Sequence, residues 1–380
     1  MTPAARISAA IEVLDLILGG QSVEPTLVNW GRGHRFAGSG DRAALRDLVF
    51  DALRCRSSFA ALGGGLTGRG LMIGAMRARG GDLDTLFTGV GHAPGVVTEA
   101  GRIPSVAEGL DCPDWLVAPL QAGLGDDFVP VMQAMQARAP VFLRVNLARG
   151  TRAEAQAVLA AAGIGSVPHD LANTALEVID GARKIQNSEG YLSGLVELQD
   201  ASSQAVVAAL PLKPGQRVLD LCAGGGGKTL AMAARGAKVM AHDAEPRRMR
   251  DLPARAARAG VAVEFTDKPE ISAPYPLILT DVPCSGSGSW RRDPAGKWAL
   301  TPARLEALVA VQALILDRAA LMVSDGGMLA YTTCSLLEVE NGGQIEAFLT
   351  RNPGWSVHLT RSFTPLQGGD GFFLAILARI

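Results

Sequence analysis

The 380-residue chain has no run of about eighteen consecutive apolar residues, so no membrane-spanning helix is expected. Cysteine is scarce. There are five, an odd number, and none is spaced as CxxC. That usage excludes a disulfide scaffold and a zinc-ligand set, and it predicts free thiols in a reducing cytoplasm with no metal. Charge of one sign is also missing, since the formal net charge is −1, and the chain shows no global basic character. With 48% hydrophobic and 19% charged residues it is not a disordered polymer. It holds no internal repeat and no low-complexity segment. The amino-terminal stretch MTPAARISAAIEVLDLI has acids inside its apolar part, which fits an amphipathic helix rather than a signal peptide. Lysine is absent from residues 1–80, which hold ten arginines against six acids. This is a local basic surface or a set of solvated helix faces.

Apolar spacing predicts helices through residues 1–60, with Ile7, Ile11, Leu14 and Ile17–Leu18 on one face and DRAALRDLVFDALRCR starting a second helix at Asp41. Gly38-Ser39-Gly40 is its turn and cap. Further helices are expected over Gly70–Arg79 and Asp82–Phe87, then a Gly/Pro-rich connection over 88–112. Residues 111–210 read as a short helical segment followed by a small α+β module, with VFLRVNLARG as its first strand. From 211 onward strands near Arg217–Leu221, Lys238–His242, Val261–Phe265, Pro276–Asp281, Gly327–Thr333 and Phe372–Ala378 alternate with helices near 228–235, 246–259, 302–323 and 338–351. The expected fold class is therefore α/β, a mostly parallel sheet with helices on both faces, behind a helical domain over 1–110 and the module over 111–210.

The stretch around which the chain is organised is VLDLCAGGGGKT, Val218–Thr229: an apolar strand, an acid, four glycines and a helix start. Two nucleotide fingerprints fail here. Counting back from Lys228, the first glycine of G-x-x-x-x-G-K-[ST] falls on Cys222, and the last glycine of G-x-G-x-x-G begun at Gly224 falls on Thr229. What remains is the turn used for S-adenosylmethionine, with backbone N–H groups facing a ligand. Asp243 ends the next strand, where an acid accepts bonds from ribose hydroxyls, and Asp267 follows the third, in reach of an adenine edge. Alone, each acid reads equally well as a cap or a loop residue.

Asp281 ends a further strand in LILTDVPCSGSGSWRRDP, Cys284 follows three residues later, and Cys334 directly follows a strand in MLAYTTCSLLEVEN. Singly, each cysteine reads as a small buried hydrophobe. Two thiols just past strand ends, beside a cofactor turn and an acid, suit one chemistry. Carbon 5 of cytosine is too weak a nucleophile to take a methyl group from a sulfonium. A thiolate adding to carbon 6 makes carbon 5 nucleophilic, an acid at ring nitrogen 3 stabilises the developing charge, and a base then removes the carbon 5 proton so that the thiol leaves. The attacking thiol needs a lowered pKa, which nearby positive charge supplies.

From about residue 113 onward the chain resembles the RsmB/Sun family of RNA cytosine-5 methyltransferases, in PDWL, APVFLRVN, VELQDASSQ, VLDLCAGGGGKT, DVPCSGSGSWRRDP, Lys297-Trp298, YTTCS with EVEN, and DGFFLA. The resemblance implies a Rossmann-like methyltransferase domain, Cys334 as the thiol that attacks the base, and Cys284 as the one that aids release, with Asp281 and Lys228 beside them. It implies S-adenosylmethionine contacts at Cys222, Ala223, Gly224, Gly225, Gly226, Gly227, Lys228, Asp243, Asp267 and Asp281. Gly224 and Gly225 stand where the usual motif has Ala and Pro, which frees the unliganded loop. The first 110 residues, through GDRAALRDLVFDALR, resemble a NusB-like RNA-binding domain. Arg144, Asn146, Arg291, Arg292, Lys297 and Trp298 are candidates for phosphate contact and base stacking, the LRVN pair being equally a strand edge. The implied protein is a cytoplasmic monomer that forms 5-methylcytosine in 16S ribosomal RNA. The alternatives are transfer RNA as substrate, or a non-catalytic assembly factor.

Overall fold

A computed structural model describes residues 1–380. Its contacts divide the chain into two units, Met1–Arg138 with Trp290–Ala299, and Ala139–Ser289 with Leu300–Ile380. No helix is long and apolar enough to cross a membrane.

The first unit is built on α1 (Pro3–Leu18), α2 (Val23–Gly33), α3 (Ser39–Arg54), α4 (Arg56–Gly63) and α5 (Gly68–Ala78). Thr2 caps α1 by accepting the Ala5 N–H, with Pro3 preset for the first turn. Helix α3 begins at Ser39, two residues before the expected start, because the Asp41 carboxylate reaches back to the Gly38 N–H. Ile7, Val13 and Leu14 of α1 pack with Leu45, Val49 and Leu53 of α3 and with Leu71 to Ile73 of α5 in one core. The helices Asp114–Leu124 and Phe128–Met135 also pack in this unit, whose contacts run to Arg138. The local reason is visible at Gln136, whose amide donates to the Gly109 carbonyl and to Asp111. Asp111 in turn accepts from Ser57 N–H and Ser58 N–H at 2.7 and 2.9 Å, capping α4 from a distance in sequence.

In the second unit β1 (Val141–Val145), β2 (Gly165–Pro168), β3 (Ala175–Asp180) and β4 (Val196–Leu198) form an antiparallel sheet in the order β2-β3-β1-β4. The helix Arg152–Ala161 buries Ala155 and Leu159 against it. Then β5 (Arg217–Asp220), β6 (Lys238–Ala241), β7 (Val263–Phe265), β8 (Tyr275–Asp281), β9 (Val323–Thr333), β10 (Trp355–Phe363) and β11 (Phe372–Arg379) form a seven-stranded sheet, order β10-β11-β9-β8-β5-β6-β7. Five strands run parallel; β11 enters antiparallel to β9 and pairs with β10. Strand β10 was not anticipated from the sequence, since its burial pattern is almost wholly solvent-facing and gives no apolar run. The expected helix over 246–259 is a 3₁₀ turn, Pro246–Met249, followed by Leu252–Ala259.

Helices α4 and α5 touch backbone to backbone. A Cβ added at Gly74 would lie 1.9 Å from the Phe59 carbonyl oxygen, and one at Gly63 would lie 1.7 Å from that of Gly70. Alanine gains about 1 kcal/mol over glycine within a helix, but a backbone clash of this depth forces the helices apart, an overpacking that costs about 1–3 kcal/mol and here exceeds the gain. Gly74→Ala is therefore expected to lower the urea midpoint of the first unit. An unchanged or raised midpoint would show that the two helices separate freely.

Candidate active site

Strand β5 lies between β8 and β6, so the chain leaves it toward β6 and β7 on one side while β8 and β9 build the other. A crevice opens at such a reversal, beyond the carboxyl ends of the strands. The loop after β5 lines it. Ala223 N–H bonds the His242 carbonyl at 2.9 Å, and Gly224 N–H bonds Asp243 Oδ2 at 2.9 Å. Gly224 and Gly226 adopt φ of +52° and +83°, and a Cβ at Gly226 would meet the Leu252 side chain at 2.1 Å. Glycine is needed there both for conformation and for space. The Gly225 carbonyl accepts from Arg255, so the loop that glycine frees in sequence is pinned in the fold. The helix Gly227–Ala234 follows.

The carboxylates around the loop differ in their partners. Asp243, 4% exposed, accepts the Glu245 N–H through its other oxygen, and the Arg248 guanidinium lies 3.4 Å away. Asp220 accepts the Thr229 hydroxyl at 2.6 Å through Oδ2, while its buried Oδ1 has no partner. Burial pushes its carboxyl up to about 7, against the Thr229 hydrogen bond. Lys228 Nζ meets Asp281 Oδ2 at 2.7 Å and lies 5.0 Å from the Phe372 ring centroid. Burial opposes its charge, but Asp281 outweighs that and holds the ammonium above its ordinary value. This acceptor-rich set fits S-adenosylmethionine. Asp220 Oδ1 lacks the donor that an ammonium group supplies, and Asp243 stands just past the carboxyl end of β6, the edge where ligands bind in such folds. Cys222 and Ala223 lie in the same turn, and burial pushes the Cys222 thiol up. Asp267 stands apart, exposed two residues beyond β7.

The two thiols meet. Asp281 of β8 is in register with Thr332 of β9, and the loops leaving these neighbouring strands bring Cys284 Sγ and Cys334 Sγ to 3.4 Å. The two thiols share a hydrogen bond in which either sulfur can be the donor. That bond, helped by the Lys228 charge against burial and Asp281, holds the Cys334 thiol below its ordinary value. The same contact, burial and the nearby Glu340 push Cys284 well above its own.

The residues expected to touch RNA are placed differently. Arg144 is 4% exposed and donates to Gln199 and to the Gly227 carbonyl; Asn146, also 4% exposed, donates to the Gly194 and Ala259 carbonyls. In the first unit, Lys297 Nζ and Trp298 Nε1 donate to the carbonyls of Arg54 and Leu53 at 3.1 and 2.7 Å, closing the carboxyl end of α3. Arg291 is buried, and its carbonyl accepts from Arg54 Nε. The Trp298 ring is half-buried with the Arg56 guanidinium 4.8 Å from its centroid. Of the six, only Arg292 has an exposed side chain. Arg144, Asn146, Lys297 and Trp298 instead satisfy backbone carbonyls, which are costly to bury without a donor. The sequence reading placed Asp220 in the strand–acid–glycine motif without a role of its own, and it did not single out Arg248 or Glu340.

Asp220 gives a pH prediction. Its folded carboxyl holds a proton up to about pH 7, while the unfolded one releases it near its ordinary value of 3.8. The native state thus binds more protons across that window, so stability falls as pH rises through it, at a limiting roughly 1.4 kcal/mol per pH unit. Asp220→Asn removes this loss. Its urea midpoint relative to the parent is expected to rise from pH 5 to pH 8, and a constant difference would mean that Asp220 does not carry the proton.

The model of the 16S rRNA methyltransferase RsmB/F family matches residues 207–377, and that of the ferredoxin-like domain of RsmF/B-like methyltransferases matches 112–186. Ribosomal RNA small subunit methyltransferase B of Klebsiella pneumoniae subsp. pneumoniae is 34% identical over 284 residues, 70% of this chain and 66% of that protein. The protein of the same name from Xylella fastidiosa is 33% identical over 299 residues, 73% of this chain and 69% of its own. The chain thus spans 66–69% of the length of these relatives. The crystal structure of PH0851 shares the fold, with a TM-score of 0.79 over 99% of both chains at 22% identity. By the matched regions and the extent of these identities, the chain belongs to the RsmB/F family of methyltransferases.

Proposed function

We propose that this chain methylates carbon 5 of a cytosine in 16S ribosomal RNA, with S-adenosylmethionine as methyl donor and Cys334 as covalent nucleophile. The observation that carries the reading is the 3.4 Å contact of Cys284 with Cys334, beside the Lys228–Asp281 pair at the carboxyl edge of the sheet. The relatives' names point to ribosomal RNA of the small subunit as substrate and so to the cytoplasm. In the first unit, Arg32, Arg35 and Phe36, the last 73% exposed, offer phosphate contact and stacking that the buried candidates do not.

The bound cofactor supplies a methyl group made electrophilic by its sulfonium. The Cys334 thiolate forms a bond to carbon 6 of the ring, and the electron pair of the carbon 5–carbon 6 double bond shifts onto carbon 5, with the Lys228 ammonium, oriented by Asp281, stabilising the charge. Carbon 5 then takes the methyl group. Once Cys334 is bonded to carbon it no longer carries charge or accepts a hydrogen bond, so two of the causes that keep Cys284 protonated disappear. Cys284 gives its proton to solvent and takes the one on carbon 5. The electron pair re-forms the double bond, and Cys334 leaves as thiolate. The net release is one proton per methyl group transferred.

With 16S rRNA and cofactor, Cys334→Ala is expected to be inactive and to trap nothing. Cys284→Ala should transfer the methyl group and stall, leaving a protein–RNA adduct that survives denaturing electrophoresis and is lost in the double variant. An adduct from Cys334→Ala with none from Cys284→Ala would reverse the two roles.

Asp243→Ala should weaken S-adenosylmethionine binding by about 1–3 kcal/mol, the range for leaving buried polar groups unpaired. Calorimetry giving equal affinities would remove Asp243 from the cofactor site.

A further inference from the structure

We infer that Glu340 is a positioning residue that sets the contact between the two reactive thiols, an inference that rests on the reading of Cys334 as nucleophile. Each cysteine is followed by a serine, Ser285 and Ser335. The Glu340 carboxylate, fully buried, sits between them. One of its oxygens accepts the Ser285 N–H at 2.8 Å and the Gln312 amide at 2.9 Å; the other accepts the hydroxyls of Ser285 and Ser335, both at 2.5 Å. Gln312 also donates to the carbonyl of Pro283, the residue before Cys284.

The hydrogen-bonding capacity of the Glu340 side chain is fully used. A carboxylate has about four lone-pair sites, and four donors fill them. The Ser287 hydroxyl lies 3.2 Å from that of Ser285, from which it can accept, and 3.0 Å from that of Ser335, to which it can donate when the Ser335 proton is on Glu340. All four donors are neutral. A buried carboxylate satisfied by neutral donors is an expensive way to join two loops when an apolar contact would do. Its charge has a second effect that an apolar contact lacks: it disfavours a thiolate at Cys284. The Cys284 thiol is thereby held well above its ordinary value, while the Cys334 thiol lies below its own.

The test reads thiol chemistry without RNA. The full-length protein is alkylated with iodoacetamide between pH 6 and 9, and modification of Cys334 is followed by peptide mass spectrometry in the parent, in Glu340→Gln and in Ser335→Ala. In Glu340→Gln the midpoint of the Cys334 profile is expected to rise by about one pH unit, so that modification at pH 7 slows about tenfold, while cofactor affinity stays as in the parent. Ser335→Ala should shift it in the same direction by less. An unchanged midpoint in Glu340→Gln that still binds cofactor would overturn the inference. If that variant does not fold, unchanged midpoints in both Ser285→Ala and Ser335→Ala would do so. The nucleophile reading fails separately, on methylation by Cys334→Ala.

Discussion

The site depends on the reversal of strand order beside β5. Because β6 and β8 flank the same strand, the ends of β5, β6 and β8 deliver Asp220, Asp243 and Asp281 to one crevice although they are spread over sixty residues of sequence. The parallel pairing of β8 with β9 then does for the thiols what β5 does for the acids. With Asp281 opposite Thr332, the chain emerges from both strands at one height, and two short loops suffice to bring Cys284 to Cys334. A hydrogen-bonded ladder fixes this register, and a one-residue slip would turn every side chain to the other face.

Buried charge is used differently at each point around this frame. Lys228 is held by Asp281, so no lone cation is left in the interior; toward Cys334 the ammonium favours the thiolate and the carboxylate opposes it. Asp220 has one oxygen satisfied and one not, an arrangement suited to a ligand that brings its own donor. Glu340 is satisfied by four neutral donors that tie it to the loops carrying the two thiols. A low-dielectric setting enlarges each of these interactions, which is why three neighbouring acids behave as three different groups.

The segment Trp290–Ala299 leaves the sequence of the second unit and packs with the first. Its charged and aromatic residues serve the open end of α3: Lys297, held down to about 8 by burial, and Trp298 take carbonyls that the helix cannot satisfy itself. The same logic applies to Arg144 and Asn146 in the second unit, which bind backbone carbonyls of segments far along the chain. Basic residues in a run look like a surface for RNA, and here most of them are fasteners.

The sequence by itself determined the class of fold, the glycine turn after β5, the acids at the ends of β6 and β8, and the pair of cysteines just past strand ends. Each of these is a local matter: hydrophobic period selects strand or helix, and positive φ selects glycine at Gly224 and Gly226. The tertiary structure alone decided which residues meet and which are buried. It brought Cys284 to Cys334, put Glu340 between two serines fifty residues apart, placed residues 290–299 in the helical unit, and turned Lys297 from a phosphate candidate into a helix cap. The physical reason is that hydrogen bonding and desolvation depend on neighbours in space. A glutamate on a surface and a glutamate between two thiol loops are written with the same letter.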